Sequence, residues 1–356
     1  MRKISAQLIP GRISVKARPR QVYGHPVLFV VAAVILSIAP WPASASDGPR
    51  DWLKRMDHAV EYLNYEGTLV HMHAGRADTY QIYHRVEDGA VTERLVALDG
   101  AGREIIRNQD EVTCIFPDQQ TVVVEKRRDR DSGQSPLRAS LPAYSQSGER
   151  YYQFSLVRSE RVAGRDARLI AIRPKDNYRY GYRLWLDEAT AMPLKSQLRS
   201  EETGNSVEEI LFANISLPER VSADRVRSSL VTDQFSWLRA ENSAPSALEE
   251  SVDAHWRAME LPPGFMLTAA KVELLTDAAS PRHHIVYTDG LATVSVFIDV
   301  TVAASEQAEG VSKIGTANAY STMHDGWLVT AVGQVPLRTV QMISLSVRSV
   351  PGESSD

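Results

Sequence analysis

Two histidines on one predicted strand are the residues of this chain whose type and spacing best suit metal binding. One residue separates His71 from His73, so on a β-strand both imidazoles face the same side of the sheet. Imidazoles are common Zn²⁺ ligands, and a third ligand would have to come from a neighbouring strand. A hairpin that turns around Arg76 places His84 on the opposite face, although a one-residue change of register would reverse this. Sheet histidines without a metal are the favoured interpretation, and we predict no metal and no cofactor.

Other catalytic patterns do not occur in the sequence. It contains no nucleophile elbow, phosphate-binding glycine loop or calcium-binding loop. The single cysteine, Cys114, alternates with Val112 and Phe116, which predicts a buried, unreactive thiol on a strand. We therefore assign no catalytic residues. A metallohydrolase that uses His71 and His73 is the least favoured class.

A third group of residues suits an apolar ligand. The alternating segment Tyr178–Leu186 predicts one strand, with Tyr and Leu side chains on one face and Arg179, Arg183 and Trp185 on the other. The Tyr and Leu face could belong to the core, or it could line a cavity for an acyl chain or an apolar peptide. The predicted lipid-cavity residues are Trp52, Met56, Tyr178, Tyr180, Tyr182, Leu184 and Trp185.

Arginines in the irregular segment 127–150 could contact the anionic groups of such a ligand. They are Arg127, Arg128, Arg130 and Arg138, with two aspartates between the second and the last. Guanidinium groups form charge-assisted hydrogen bonds with phosphates and carboxylates. A solvated loop without a ligand is the alternative interpretation.

The first 45 residues predict export from the cytoplasm. A basic start without acidic residues precedes the apolar run Val27–Ala39, and Ala43-Ser44-Ala45 follows with small residues at the first and third positions. This order is typical of a secretory signal peptide, and the run is shorter than the roughly 20 residues of a spanning helix. We predict cleavage after Ala45. Removing the six basic residues from 40 leaves 34 against 44 acidic ones, a net charge of −10, which argues against a nucleic-acid partner.

The elements that position these residues are a helix followed by many strands. Apolar residues recur at helical spacing from Trp52 to Leu63, and the period then changes to two. About ten short strands without helices between them predict a large, curved, mostly antiparallel sheet in residues 46–218. Residues 219–250 are predicted to be a linker. Residues 251–350 are predicted to form a smaller domain of strands that ends in a helix beginning at Pro336, and 351–356 a tail.

Short motifs spread over both predicted domains resemble the RseB/MucB family of periplasmic envelope-stress regulators. They cover essentially all of the mature chain in order. The motifs are LNYE at 63–66, YYQF at 151–154, YGYRLWLD at 180–187, PL at 193–194, LPPGF at 261–265, YTDGL at 287–291 and VGQVP at 332–336. Relatives often have two prolines where this chain has Val335-Pro336.

The resemblance implies an α+β fold that is mainly β: a half-open antiparallel barrel with helices, similar to lipoprotein carriers, and a smaller sheet domain with a C-terminal helix. It also implies a protein that is not an enzyme and that binds the periplasmic segment of a membrane-spanning anti-sigma factor of the RseA/MucA type. That binding would block site-1 proteolysis and keep the sigma factor inactive. Lipopolysaccharide or lipoprotein acyl chains are the implied signals. A periplasmic lipid or lipoprotein carrier is the alternative, and a homodimer stays open.

Two turns of the second domain are the predicted partner surface, because Pro, Gly and Asp there can expose backbone groups beside an aromatic side chain. Phe265 and Tyr287 are the rigid aromatic residues that often dominate an interface. The alternative is that both turns merely end strands. The predicted partner-binding residues are Leu261, Pro262, Gly264, Phe265, Tyr287, Asp289 and Leu291.

Overall fold

The structure of this chain is a computed structural model, and it describes residues 14, 16, 47–127, 135–142, 149–240, 256–273, 282–300 and 309–350. The predicted signal peptide, apart from Ser14 and Lys16, lies outside the described residues, as do Arg128 and Arg130. Among the described helices, none has the length and apolar character needed to cross a membrane.

A 12-stranded open sheet forms the first domain. Its strands are β1 Tyr65–His73, β2 Arg76–Glu87, β3 Ala90–Ala97, β4 Glu104–Arg107, β5 Glu111–Phe116, β6 Thr121–Lys126, β7 Tyr152–Val162, β8 Arg165–Pro174, β9 Gly181–Asp187, β10 Pro193–Arg199, β11 Ser206–Ser216 and β12 Ser236–Ala240. Their order in space is β12-β6-β5-β4-β3-β2-β1-β11-β10-β9-β8-β7. All neighbours are antiparallel except β12 and β6. The predicted α+β class with a large, curved, unclosed sheet is confirmed.

The sheet curves around a longer and a shorter helix. Helix α1, Pro49–Tyr62, buries Trp52, Leu53, Met56, Ala59 and Val60 on one face, as the helical spacing predicts. These side chains share one core with residues from β3 at one side and β8 at the other, such as Leu95 and Ile172. The short helix α2, Pro136–Ala139, adds Leu137 to the same core. Helix α1 and α2 therefore cover the concave face.

The turn of the hairpin between β1 and β2 sets the face on which His84 lies. Its turn consists of Ala74 and Gly75, which both have positive φ angles, as in the two-residue turns that match the strand twist. His73 consequently pairs with Arg76, and His84 pairs with Tyr65. Of the two registers that the sequence left open, the structure has the one that places His84 on the same face as His71 and His73. The physical reason is that an odd shift in register moves every side chain of a strand to the other face.

The second domain is a six-stranded antiparallel sheet with a helix. The sheet has the order β14-β15-β16-β19-β18-β17, and β13 pairs separately with β20. The elements are β13 Trp256–Ala258, β14 Met266–Glu273, β15 Arg282–Thr288, β16 Thr293–Val300, β17 Gly310–Ile314, β18 Ala317–His324, β19 Trp327–Gly333, α3 Leu337–Ser346 and β20 Val347–Ser349. The final helix lies where the sequence predicts it, with Pro336 as its N-cap residue. Val340 and Ile343 of this helix are fully buried in the domain core.

Residues 219–240 contain secondary structure that the sequence pattern does not indicate. Residues Ala223–Val226 form a 3₁₀ turn, and β12 pairs in parallel with β6. The described part of the segment predicted as a linker, 219–240, therefore ends as an edge strand of the first sheet.

Candidate functional site

The two domains meet at a buried arginine. The Arg179 side chain is 0% exposed, and its Nη1 donates to Asp289 Oδ2 at 2.6 Å. Its Nη2 donates to the Pro263 carbonyl oxygen at 2.6 Å, and its Nε to Asp176 Oδ1 at 3.0 Å. Arg179 and Asp176 belong to the first domain, whereas Asp289 and Pro263 belong to the second. One guanidinium group thus joins both domains through charge-assisted hydrogen bonds.

Aromatic rings enclose this arginine. The guanidinium carbon lies 4.9 Å from the Tyr151 ring centre, 5.3 Å from Phe265 and 5.5 Å from Tyr152, within the range of cation–π attraction. The Tyr152 hydroxyl donates to Asp289 Oδ2 at 3.0 Å, and burial raises its pKa well above the usual value. Arg179, Asp289, Asp176, Tyr152 and the Pro263 carbonyl are called the junction network below. Its charges are paired and hydrogen-bonded, as burial requires.

A glycine allows the second domain to approach so closely. Gly264 has a φ of +87°, and a Cβ atom added there would lie 2.1 Å from Tyr151 Cε2. Glycine alone combines a positive φ with no side chain at low cost. The proline and glycine of the LPPGF motif therefore shape a contact between the domains.

Most predicted partner-binding residues lie in this junction. Phe265 is 6% exposed, and Tyr287 and Asp289 are each 1% exposed. The Tyr287 hydroxyl accepts from the Ala258 amide at 2.7 Å, and Leu291 packs against the core of the first sheet. Pro262 is buried, and Leu261 packs half-buried against the core of the second domain. Phe265 and Asp289 are thus buried against Arg179 of the first domain, and Tyr287 is buried in the core of the second domain. Binding of a partner by these residues stays a prediction.

The segment Tyr178–Leu186 is not one strand, because β9 begins only at Gly181. Tyr178 and Tyr180 precede it and face the second domain. Thr339 Oγ1 donates to the Tyr178 carbonyl at 2.6 Å, and Asn318 Nδ2 donates to the Tyr180 hydroxyl at 3.1 Å. Alternation across this segment therefore predicts the wrong surroundings for Arg179, and lipid binding by Tyr178 and Tyr180 stays a prediction.

The other predicted lipid-cavity residues occupy two separate places. Trp52, Met56 and Leu184 pack together in the core under α1, and Tyr182 packs against it; burial raises the pKa of Tyr182. Trp185 belongs to a separate core on the other side of the sheet, where its Nε1 donates to Glu160 at 2.6 Å. Lipid binding by these residues stays a prediction.

Of the four arginines predicted to contact anionic groups, the two that the structure describes, Arg127 and Arg138, both have protein partners. Arg127 Nη1 donates to the Asn108 carbonyl at 2.8 Å, and Arg138 Nη1 pairs with Asp57 on α1 at 2.7 Å. The pair with Asp57 fastens the α2 segment to α1. Contact of these arginines with an anionic ligand stays a prediction.

A polar rim lies at one end of the concave face. It consists of His71, His73, Asp78 and Glu208, which continue the buried rows of β1, β2 and β11. His71 Nε2 lies 2.5 Å from Glu208 Oε1, and His73 Nε2 lies 2.8 Å from Asp78 Oδ2. One ligand atom from each of His71, His73 and Asp78 lies within 4.8 Å of the other two. The neighbouring strand thus supplies an aspartate, where the sequence suggested only His84.

Glu208 connects the rim to both coverings of the sheet. It is 7% exposed and accepts hydrogen bonds from Ser140 Oγ and Gln334 Nε2, each at 2.9 Å. Burial alone would raise the pKa of Glu208, but the hydrogen bonds from His71, Ser140 and Gln334 hold it below the usual value. Ser140 follows α2, and Gln334 belongs to the second domain. A single buried carboxylate therefore joins three parts of the molecule, which no short motif in the sequence indicates.

Comparison with known families matches both domains. Residues 48–230 match the MucB/RseB N-terminal domain, and residues 250–348 match the MucB/RseB C-terminal domain. The Pseudomonas aeruginosa protein "Sigma factor AlgU regulatory protein MucB" is 33% identical over 320 residues, which cover 88% of this chain and 94% of that protein. The Haemophilus influenzae "Sigma-E factor regulatory protein RseB" is 27% identical over 328 residues, covering 91% and 98%.

Solved structures agree with these matches. The complex of Pseudomonas aeruginosa MucA and MucB contains a chain that is 30% identical and superposes with a TM-score of 0.65, covering 85% of this chain and 99% of that one. A crystal structure of MucB is 31% identical with a TM-score of 0.54, covering 84% and 97%. Both domains, in the same order, therefore have relatives of known structure, and the chain belongs to the MucB/RseB family.

Proposed function

We propose that this protein is a periplasmic regulator that binds the periplasmic segment of a membrane-spanning anti-sigma factor. Binding shields that segment from the site-1 protease, so that the envelope-stress sigma factor stays sequestered. One observation carries the proposal: a relative that matches both domains over 99% of its length has been solved in complex with MucA. The protein acts by binding and not by catalysis. It is exported to the periplasm, and its signal peptide is cleaved after Ala45.

The structure supports regulation through the arrangement of the domains. The junction network and the Gln334–Glu208 hydrogen bond both cross between the domains. A partner that binds one arrangement better than another shifts the equilibrium by that difference in affinity. A second ligand that prefers another arrangement then releases the partner, and the coupling is reciprocal.

A lipid signal would act through the covering of the concave face. An acyl chain that enters beneath α1 and α2 must displace side chains such as Met56 and Leu137, and each buried methylene contributes about 0.8 kcal/mol. Displacing α2 would break the hydrogen bond from Ser140 to Glu208, which also binds Gln334 of the second domain. We therefore propose that acyl chains of lipopolysaccharide or lipoproteins loosen the partner complex.

The test of the main function is a protection assay. The mature protein is added at increasing concentration to the periplasmic domain of the anti-sigma factor and the site-1 protease. Cleavage should slow in proportion to the fraction of partner bound. The matched control is an unrelated peptide substrate of the same protease, whose cleavage must not change. Unchanged cleavage of the anti-sigma segment at saturation would contradict the proposal.

The carrier alternative rests on the first domain alone, since a carrier has no use for residues 256–350. It predicts that the mature chain transfers lipoprotein between vesicles whether or not the anti-sigma segment is present. The sensor predicts instead that lipid binds several-fold more weakly when the segment is bound, because linkage is reciprocal. Lipid affinity that is equal with and without the segment would exclude the coupling. Efficient transfer between vesicles would favour the carrier.

A further inference from the structure

The polar rim contains the group of described residues whose side chains converge as metal ligands do. His71, His73 and Asp78 are all half-buried, and their ligand atoms lie within 4.8 Å of one another. In place of the sequence-based prediction of no metal, we propose that these three residues bind one divalent transition-metal ion, with Zn²⁺ as the ion that fits best. The site lies at the end of the first sheet, and its ligands are not members of the junction network.

The backbone places the three ligands independently of any metal. His71 and His73 lie on the same face of β1, and Asp78 pairs directly with His71 across the β1–β2 hairpin. Opposite residues of an antiparallel pair have Cβ atoms about 5 Å apart on the same face. The tight Ala74–Gly75 turn fixes this register, so the ligand set is held by the most local contact that a sheet can form.

Glu208 supplies the second feature of a metal site. Histidine ligands usually hydrogen-bond to a carboxylate or carbonyl group, which fixes the orientation of the ring. Glu208 lies 2.5 Å from His71 Nε2, and it is itself held by Ser140 and Gln334. The carboxylate is buried and oriented before any ion arrives. Glu208 is therefore a positioning residue in this proposal.

The chemistry of the ligands selects the ion. Two imidazoles and one carboxylate suit Zn²⁺ and its neighbours among the transition metals. Ca²⁺ and Mg²⁺ require six or more oxygen ligands or several water molecules, which two imidazoles do not replace. One positive charge beside the site is Arg76, which pairs with His73 across the hairpin and is exposed to solvent. Water and salt weaken its repulsion of a cation.

The experiment measures Zn²⁺ binding to the mature chain purified without a histidine tag. Zinc is titrated against a chromophoric chelator, and Co²⁺ substitution reports the coordination geometry by its visible absorption. We expect one Zn²⁺ per chain, without competition from a hundredfold excess of Mg²⁺ or Ca²⁺. The variants are His73→Ala and Asp78→Asn, of which the second keeps the shape of the side chain. The matched control is His58→Ala, because His58 is exposed and lies on α1, not on the strands that carry the three ligands.

Each variant has a defined outcome. His73→Ala and Asp78→Asn should each lower the zinc affinity at least tenfold, and Glu208→Gln should lower it about 10- to 100-fold as expected for a residue that orients a ligand. His58→Ala should leave the affinity unchanged. Far-UV circular dichroism and the melting temperature confirm that each variant is folded. If folded His73→Ala and Asp78→Asn bind zinc as the unmodified chain does, binding is adventitious and the proposal is overturned.

Discussion

The junction network and the polar rim are both polar clusters beside the first sheet, but they differ in burial and in how fully their groups are paired. Arg179 and Asp289 have side chains that are 0% exposed, and each hydrogen-bonds to several fixed partners. The side chains of His71 and His73 are 16% and 23% exposed, and each lies beside one carboxylate. A buried, saturated cluster cannot exchange partners without a large cost. A half-exposed cluster can do so, because water replaces lost hydrogen bonds.

This difference separates a structural role from a ligand-binding one. The junction network holds two domains in one arrangement, so a change there should affect stability first and binding second. The four rim residues are not members of the junction network, and the hydrogen bond from Gln334 to Glu208 joins the rim to the second domain. A ligand at the rim can therefore be tested without dismantling the contact between the domains.

The largest loss of stability is expected for Asp289→Ala. It removes the carboxylate that pairs with Arg179 and accepts from Tyr152. Leaving a buried charge without its main partner costs about 3–5 kcal/mol, and Asp176 offsets part of this. We expect a loss of about 3 kcal/mol in the free energy of unfolding, measured by urea denaturation. Glu202→Ala is the control, because its pair with Arg338 is exposed and should contribute less than about 1 kcal/mol. Equal losses in both variants would contradict the buried junction.

A second change tests the close approach of the domains. Gly264→Ala should cost about 1–2 kcal/mol for the positive φ and a further 1–3 kcal/mol for the overlap with Tyr151. Gly326→Ala is a matched control, since Gly326 has a φ of +84° and open space around it. We expect Gly264→Ala to lower the melting temperature clearly more than the control. If both variants melt at the same temperature, the contact with Tyr151 is not close in solution.

The smallest effect is expected where the α2 segment is fastened to α1. Arg138 and Asp57 have side chains that are 36% and 31% exposed, and such pairs contribute about 0–1 kcal/mol. Arg138→Ala should therefore change the free energy of unfolding by less than about 1 kcal/mol. Hydrogen exchange should still show faster opening of the backbone near Leu137. Unchanged exchange there would mean that apolar contacts alone hold this cover.

The elements that can be predicted from the amino-acid sequence are those with a repeating pattern of their own. The apolar stripe of α1 and the alternation of strands such as β2 and β16 are visible because a helix or strand repeats its own geometry. Pro336 marks the beginning of α3 because the fixed φ angle and missing N–H of proline suit the start of a helix. The family is also visible, because its motifs are short and occur in order across both domains.

The sites depend on contacts between residues far apart in the chain, and only the tertiary structure decides those. Alternation places Arg179 on the solvent face of a strand, yet its buried side chain pairs with a residue 110 positions away. The rim depends on the register of the β1–β2 hairpin, and another position of the turn would move one strand's side chains to the other face. Glu208 contributes to the rim from a position 137 residues beyond His71. Strand β12 pairs with β6, a strand that lies far earlier in the chain. Local patterns report which face of an element is apolar, whereas the partner that covers this face depends on the packing of the whole chain.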